Sequence, residues 1–207
     1  VFMCKKMYLL VVGILIAGLL TACNGSPTKD SEQAQDNTKK EANVSNNALK
    51  DEKNNENLME QDFKVPYTDA INIFKDKYKD ADIVDLSLER DLNKFVYTVE
   101  GVDDNNEYKM KIDANTKDVL EDKTEKLDSE DLNGVARKEK LDFNDIMTPQ
   151  QAMEIALKEQ NGMVKEWSLD KDLDVTFYKI RIDKDKNEYD IKVDSKKGTV
   201  LKVEKED

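Results

Sequence analysis

The sequence contains no histidine and only two cysteines among its 207 residues. Without histidine, the chain lacks the commonest general base and zinc ligand, and it cannot build a Ser-His-Asp or Cys-His catalytic arrangement. Both cysteines, Cys4 and Cys23, lie near the N-terminus, so the rest of the chain has no disulfide framework and no thiolate chemistry. We therefore expect no enzymatic activity, no metal and no cofactor, although a hydrolase built on paired carboxylates stays open in principle.

Basic residues are in deficit. Lys and Arg number 33 against 45 for Asp and Glu, which gives a formal net charge of −12. Proteins that bind nucleic acid present a basic surface to the phosphates. The charge balance therefore argues against nucleic acid as a partner and is typical of a well-solvated exterior protein.

The chain has one long apolar run, residues 7–20, directly after two lysines. It is too short to cross a bilayer core of about 30 Å, but it suits the core of a signal peptide. The run ends in Leu20-Thr21-Ala22-Cys23, which resembles the lipobox of bacterial lipoproteins. The resemblance implies cleavage between Ala22 and Cys23 and attachment of a lipid anchor at Cys23. A plain secretory signal and an uncleaved membrane anchor are the alternatives.

A polar segment follows the predicted signal peptide of residues 1–22. Residues 23–61 are mostly Asn, Lys, Glu, Asp, Ser and Gln, with almost no aromatic or branched apolar side chains. Such a composition cannot bury enough surface to offset its ordering entropy, so we predict a disordered tether. Random-coil scaling gives it a reach of about 35 Å. We expect the protein on the outer face of the cell membrane, extending into the cell wall.

The rest of the chain is written twice. Residues 87–120 align without a gap with residues 168–201, and 13 of the 34 positions are identical. The shared residues include aromatic residues and leucines, which indicates a duplicated structural unit rather than a similar composition. We place the first repeat at residues 62–122, a connector at 123–141 and the second repeat at 142–207.

In each repeat, the spacing of the apolar residues changes once, from the period of a helix to the alternation of a strand. A helical period covers residues 66–79 in the first repeat, and in the second Thr148, Pro149 and Gln151 form a helix-start signal with a capping box. Beyond each helix, apolar and polar residues alternate over three or four short segments, which predicts an antiparallel sheet with one buried face. The fold class is therefore α+β, in two tandem repeats of one helix on a small antiparallel sheet of three or four strands. We expect the two repeats to touch.

This pattern resembles the PepSY domain, and the whole chain resembles the tandem-PepSY lipoproteins of Gram-positive bacteria. The resemblance lies in matching dipeptides of the two repeats: Ala70-Ile71 and Ala152-Met153, Glu107-Tyr108 and Glu188-Tyr189, Ile112-Asp113 and Val193-Asp194, Val119-Leu120 and Val200-Leu201. It implies restraint of a peptidase and carries over no catalytic residue. One departure is Lys117, which stands where the second repeat has the turn glycine Gly198, so we expect a changed turn or a strained backbone there.

Trp167 and Phe177 are predicted to lie on opposite faces of the sheet. Trp167 takes the inward position that Leu86 holds in the first repeat, which favours a role in the core. Phe177 and its counterpart Val96 fall on the opposite face of the sheet, where we expect them to be exposed. They are candidate partner-binding residues, although a lone exposed aromatic side chain is also common without a function.

A calcium-loop spacing is present in the second repeat. Asp183, Asp185 and Asn187 are followed by Asp194 at the twelfth position, which matches the oxygen ligands of a calcium loop. However, Glu188 replaces the glycine of the sixth position, and helices do not flank the segment. We interpret it as a polar hairpin connection and predict no metal site.

The sequence is compatible with two functions. The first is a lipid-anchored, non-enzymatic surface protein whose repeats bind another envelope or secreted protein, such as a peptidase, through sheet faces or edge strands. The second is a calcium-responsive or spacer component of the cell envelope without a specific protein partner.

Overall fold

A computed structural model describes residues 56–206 of the protein. The predicted signal peptide, Ala22, Cys23 and most of the predicted tether lie outside these residues. The 3-10 helix Leu58–Glu60 precedes the first repeat, which consists of α1 (Tyr67–Lys77), β1 (Asp82–Asp91), β2 (Lys94–Val102), β3 (Asn106–Asp113) and β4 (Val119–Lys126). The second repeats this order: Ala136–Glu139, α2 (Pro149–Glu159), β5 (Met163–Asp172), β6 (Val175–Lys184), β7 (Asn187–Asp194) and β8 (Val200–Lys205).

The eight strands form one sheet in the order β4-β3-β2-β1-β5-β6-β7-β8. Every neighbouring pair is antiparallel, including β1 and β5, which join the two repeats. At this junction Ser87 lies opposite Ser168, its own counterpart in the duplicated sequence. The repeats are therefore related by a pseudo-twofold axis through this serine pair. The predicted α+β class with two helix-on-sheet repeats is confirmed, and the two meanders merge into a single sheet.

The start of α2 follows its sequence signals. The Thr148 side chain accepts a hydrogen bond from the Gln151 amide, and the Gln151 side chain accepts one from the Thr148 amide. This reciprocal capping box, with Pro149 at the first helical position, satisfies amides that would otherwise lack partners. The start of α1 has Pro66 at the cap position and no side-chain cap. Packing against the sheet therefore contributes more to the position of α1 than local capping does.

Both helices pack on one face of the sheet, around a shared core. The Tyr97 hydroxyl donates to the carbonyl of Val65, and the Tyr178 hydroxyl donates to the carbonyl of Met147, both at 2.8 Å. Each bond ties the segment before a helix to the second strand of its repeat. Trp167 is 2% exposed at the centre of this core, which confirms the sequence prediction.

The final turn has the same geometry in both repeats, despite the loss of glycine from the first. The amides of Lys117 and Gly198 donate to the carbonyls of Asp113 and Asp194, and both residues are left-handed, with φ of 69° and 70°. Of the two alternatives predicted for Lys117, the turn is unchanged and the backbone is strained. The Lys117 ammonium forms an ion pair with Asp69 of α1 at 2.6 Å.

The segment before the first repeat packs at the junction between the repeats. Leu58 is 2% exposed, and the Asn57 side chain accepts a hydrogen bond from the Val164 amide of β5 at 3.1 Å. The prediction that the disordered tether extends to residue 61 is therefore wrong for residues 56–61. Sequence composition missed this because the attachment depends on individual residues: the ion pairs of Glu56, the hydrogen bond of Asn57 and the buried Leu58.

The connector between the repeats is shorter than the sequence suggested. Strand β4 continues to Lys126, four residues past the predicted end of the first repeat at residue 122. The following segment forms the 3-10 helix Ala136–Glu139. Leu141 then inserts into the core, and its amide donates to the carbonyl of Ile83 at 2.9 Å. The connector is thereby fixed to β1.

Candidate interaction surface

The face of the sheet opposite the two helices is polar, and we call it the open face. Its central row crosses six strands and is formed by Lys111, Thr98, Ser87, Ser168, Lys179 and Lys192. The alternation seen in the sequence places these side chains away from the core. The open face thus spans both repeats without a break in the strand order.

Val96 and Phe177 lie on the open face, as the alternation indicated, but the prediction that they are exposed is wrong. Val96 is 2% exposed and Phe177 is 6% exposed. The Lys192 ammonium lies 5.1 Å from the centre of the Phe177 ring. Alternation decides the face to which a side chain points, whereas its exposure also depends on what lies over it. Ser87, Thr98 and Ser168 of the central row are also at most 9% exposed, so the small side chains of the open face are buried together with Val96 and Phe177.

The second repeat carries an ion-pair network on the open face. The Arg181 guanidinium lies 2.8 Å from the Glu166 carboxylate on one side and 3.1 Å from the Asp190 carboxylate on the other. Burial disfavours the charge of Arg181, but Glu166 and Asp190 outweigh it and raise the pKa of the guanidinium further above its usual range. Burial raises the pKa of Glu166, and Arg181 opposes that rise. The network joins three neighbouring strands.

The first repeat has different charges at the equivalent three positions, Asp85, Glu100 and Lys109. Glu100 accepts from the Lys109 ammonium at 2.7 Å, while Asp85 lies beside Glu100 in the register of β1 and β2. Burial raises the pKa of Asp85 well above its usual value, and the charges of Asp170 and Glu100 raise it further. The two halves of the open face therefore share a backbone geometry but present different charge patterns.

The calcium-loop spacing does not form a metal site. Asp183 pairs with Glu188 at the start of β7, and Asp194 is the last residue of that strand. At about 3.4 Å per residue, the two carboxylates are separated by roughly 20 Å along β7. The segment between them is a hairpin with left-handed Asp185 and Lys186. Its ligand spacing is a coincidence of a polar hairpin sequence.

Two leucines that both repeats share lie outside the core. Leu92 and Leu173 occupy the tips of the β1–β2 and β5–β6 hairpins, where they are 89% and 87% exposed. Both have left-handed backbone angles, with φ of 54° and 45°. Identity between the two copies indicates a duplicated unit but does not distinguish leucines of the core from leucines of turns. The missed signal was the adjacent aspartate, since Asp-Leu in each copy stands where a turn must follow a strand.

A small crevice lies on the helix side of the sheet, at the junction between the repeats. Its volume is about 190 Å³, and Leu88, Tyr97 and Trp167 form part of its wall. The residues around it include two glutamines but no acidic side chain.

Among residues 56–206, neither helix is long and apolar enough to cross a membrane.

Comparison with known proteins agrees with the repeated architecture. The family model described as "Peptidase propeptide and YPEB domain" (PepSY) matches residues 64–123 and 146–204. These two ranges cover more than half of the chain and coincide with the two helix-on-sheet repeats. The protein therefore belongs to the PepSY family, whose propeptide-like domains are generally non-catalytic, and it carries two copies of the domain.

One solved structure is nearly identical in sequence. The crystal structure of a candidate lipoprotein from Clostridium difficile 630 is 99% identical, covers 73% of this chain and 100% of its own, and superposes with a TM-score of 0.73. No curated protein matches the sequence. The domain content and this similarity together support the classification as a tandem PepSY lipoprotein.

Proposed function

We propose that the protein is a non-enzymatic, lipid-anchored surface protein whose two PepSY repeats bind another envelope or secreted protein and restrain a peptidase. The lipobox that ends at Cys23 and the similarity to a candidate lipoprotein support the anchor. The family description, which refers to peptidase propeptides, supports the partner class. In this proposal the protein stands on the outer face of the cell membrane, and the polar segment before residue 56 carries it into the cell wall.

The observation that carries the proposal is the merging of the two repeats into one sheet. Eight strands with about 4.8 Å between neighbours give the open face a width of about 34 Å from edge strand to edge strand. A binding surface of this kind is held rigid, so a partner loses little ordering entropy of the protein when it binds. The charges differ between the halves, with Glu100 in one and Arg181 in the other at equivalent positions. A partner that contacts both halves is therefore bound in one orientation.

The test uses a soluble form of residues 50–207, which includes the ordered entry segment. It is added to the secreted proteins of the host, and hydrolysis of casein is measured as a function of added protein. We expect a saturable fall in peptidase activity. Lys179→Glu reverses a charge at the centre of the open face and should weaken the effect by about tenfold. Lys158→Glu makes the same change on the exposed side of α2 and should leave it unaltered.

The proposal fails if peptidase activity is unchanged at every concentration, or if both charge reversals have equal effects. Thermal unfolding of each variant verifies that its fold is intact. A calcium titration, followed by the fluorescence of Trp167, tests the alternative of an ion-responsive envelope component. A spectral shift at millimolar calcium without any effect on peptidases would favour that alternative.

A further inference from the structure

The two edge strands of the sheet differ in how well they are protected against pairing with a further strand. Strand β4 ends one side of the sheet and β8 ends the other. Position 122 on β4 is an aspartate, which accepts hydrogen bonds from Lys77 and Tyr78 at the end of α1. The equivalent position on β8 is Val203, which is 48% exposed, as is its neighbour Leu201. Charged residues are the usual device that keeps an edge strand from pairing. On β8, Lys202 and Glu204 flank the uncharged Val203, whereas on β4 the equivalent central position is itself charged.

The backbone of β8 is oriented for further pairing. The Glu206 amide donates to the carbonyl of Glu188 on β7 at 2.9 Å. Backbone groups alternate in direction along a strand, and the register of β7 and β8 is regular from Lys202 onward. The amide and carbonyl groups of Val203 and Lys205 therefore point away from β7. They are available to a strand that approaches the edge of the sheet.

The side chains of β8 are complementary to a second copy of β8. In an antiparallel pair centred on Val203, Lys202 of each copy lies opposite Glu204 of the other. Val203 faces its own counterpart in the same arrangement. The equivalent pairing of β4 would also place Glu121 opposite Lys123, but at its centre Asp122 would face Asp122, a like-charge contact that is destabilising. This self-complementarity about a single residue fits a twofold homodimer better than an unrelated partner strand.

We propose that β8 pairs with β8 of a second copy, in an antiparallel arrangement centred on Val203. The two sheets of eight strands then form one continuous sheet of sixteen. Both β4 strands lie at the outer edges of the dimer. Anchoring many copies to one membrane would raise their local concentration and favour this contact. The inference does not depend on a peptidase partner.

Cysteine cross-linking gives a direct test, because residues 50–207 contain no cysteine. Val203→Cys should form a disulfide-linked dimer under mild oxidation. Asp122→Cys introduces the same thiol at the equivalent position of the other edge and should remain largely monomeric. Equal cross-linking of the two variants would overturn the proposal, since it would indicate random collision.

Charge exchange provides an independent measurement by sedimentation velocity. Lys202→Glu and Glu204→Lys each place like charges opposite one another twice in the dimer, so each should raise the dimer dissociation constant by about tenfold. The double variant Lys202→Glu/Glu204→Lys restores opposite charges and should recover the original constant. A monomeric parent protein at all concentrations, or a double variant as weak as the single ones, contradicts the proposed register.

Discussion

The two repeats fill the space between helix and sheet with opposite arrangements of large and small residues. In the first, Phe74 of α1 lies over Gly101, and a methyl group at Gly101 would come within 2.6 Å of the phenyl ring. In the second, Ala156 replaces the phenylalanine, Ile182 replaces the glycine, and Gly162 stands where the first repeat has Ala81. A methyl group at Gly162 would lie 2.5 Å from Ile182. The helix-to-sheet volume is thus conserved between the repeats, while the residues that fill it are exchanged.

This comparison separates two kinds of constraint. Hydrogen-bonding residues such as Tyr97 and Tyr178 are identical because each must reach one particular carbonyl. Residues that fill the space between helix and sheet can be exchanged as a set, because close packing depends on their total volume rather than on the size of each side chain. Low identity between duplicated repeats is therefore compatible with one fold.

The largest predicted effect comes from transferring the packing of the second repeat to the first. Gly101→Ile alone should destabilise the protein by about 3 kcal/mol through overpacking. Phe74→Ala alone should cost about 3–5 kcal/mol because it leaves a cavity. The triple variant Phe74→Ala/Gly101→Ile/Ala81→Gly reproduces the second repeat and should recover most of the loss. Urea unfolding measures all three, and additive losses in the triple variant would refute the volume exchange.

A smaller effect is expected at the final turns. Gly198→Lys should destabilise the protein by about 1–2 kcal/mol because it forces a side chain into a left-handed backbone. Its Cβ would also lie 3.1 Å from Ile155. The converse change, Lys117→Gly, relieves strain but removes the ion pair with Asp69. It should therefore change the stability by less than about 1 kcal/mol. Equal and opposite effects of the two changes would show that the ion pair contributes nothing.

The smallest predicted effect is a difference in acid sensitivity between the hairpins of the two repeats. Burial opposes ionisation of Asp103, but hydrogen bonds from the Tyr108 hydroxyl and from the amides of Asn105 and Asn106 lower its pKa to about 2. A lowered pKa contributes stability above the unfolded value, and this contribution is lost as the pH falls from about 4 to about 2. The second repeat has Lys184 at the equivalent position.

Asp103→Asn tests this difference. The variant should lose less stability than the parent protein between pH 4 and pH 2, by under about 1 kcal/mol because the site is largely solvated. Thermal unfolding at several pH values provides the measurement. Identical pH profiles would assign the acid sensitivity to other carboxylates.

Sequence patterns were sufficient for the elements within each repeat. The capping box at Thr148 and the alternation around Tyr97 and Tyr178 identified a helix and strands because these signals are local. The pairing of β1 with β5 was not predictable in the same way, since it depends on contacts between residues about 80 positions apart. The exposure of Phe177 was also beyond local reasoning, because it depends on the surroundings of the side chain. Pairing between the repeats and side-chain exposure therefore depend on the tertiary structure rather than on local sequence.

The position of Glu56 has a mechanical consequence. Its carboxylate binds Arg90 of β1 and Lys165 of β5, so the first described residue of the chain bridges the seam between the repeats. Lysine 165 also holds the pKa of Glu56 below its ordinary value, so the bridge stays charged at neutral pH. A force applied to the segment before Glu56 is therefore transmitted to the central strands β1 and β5 and not to an edge strand. Leu58, which is 2% exposed, follows two residues later, so the load reaches the junction between the repeats before it reaches β4 or β8.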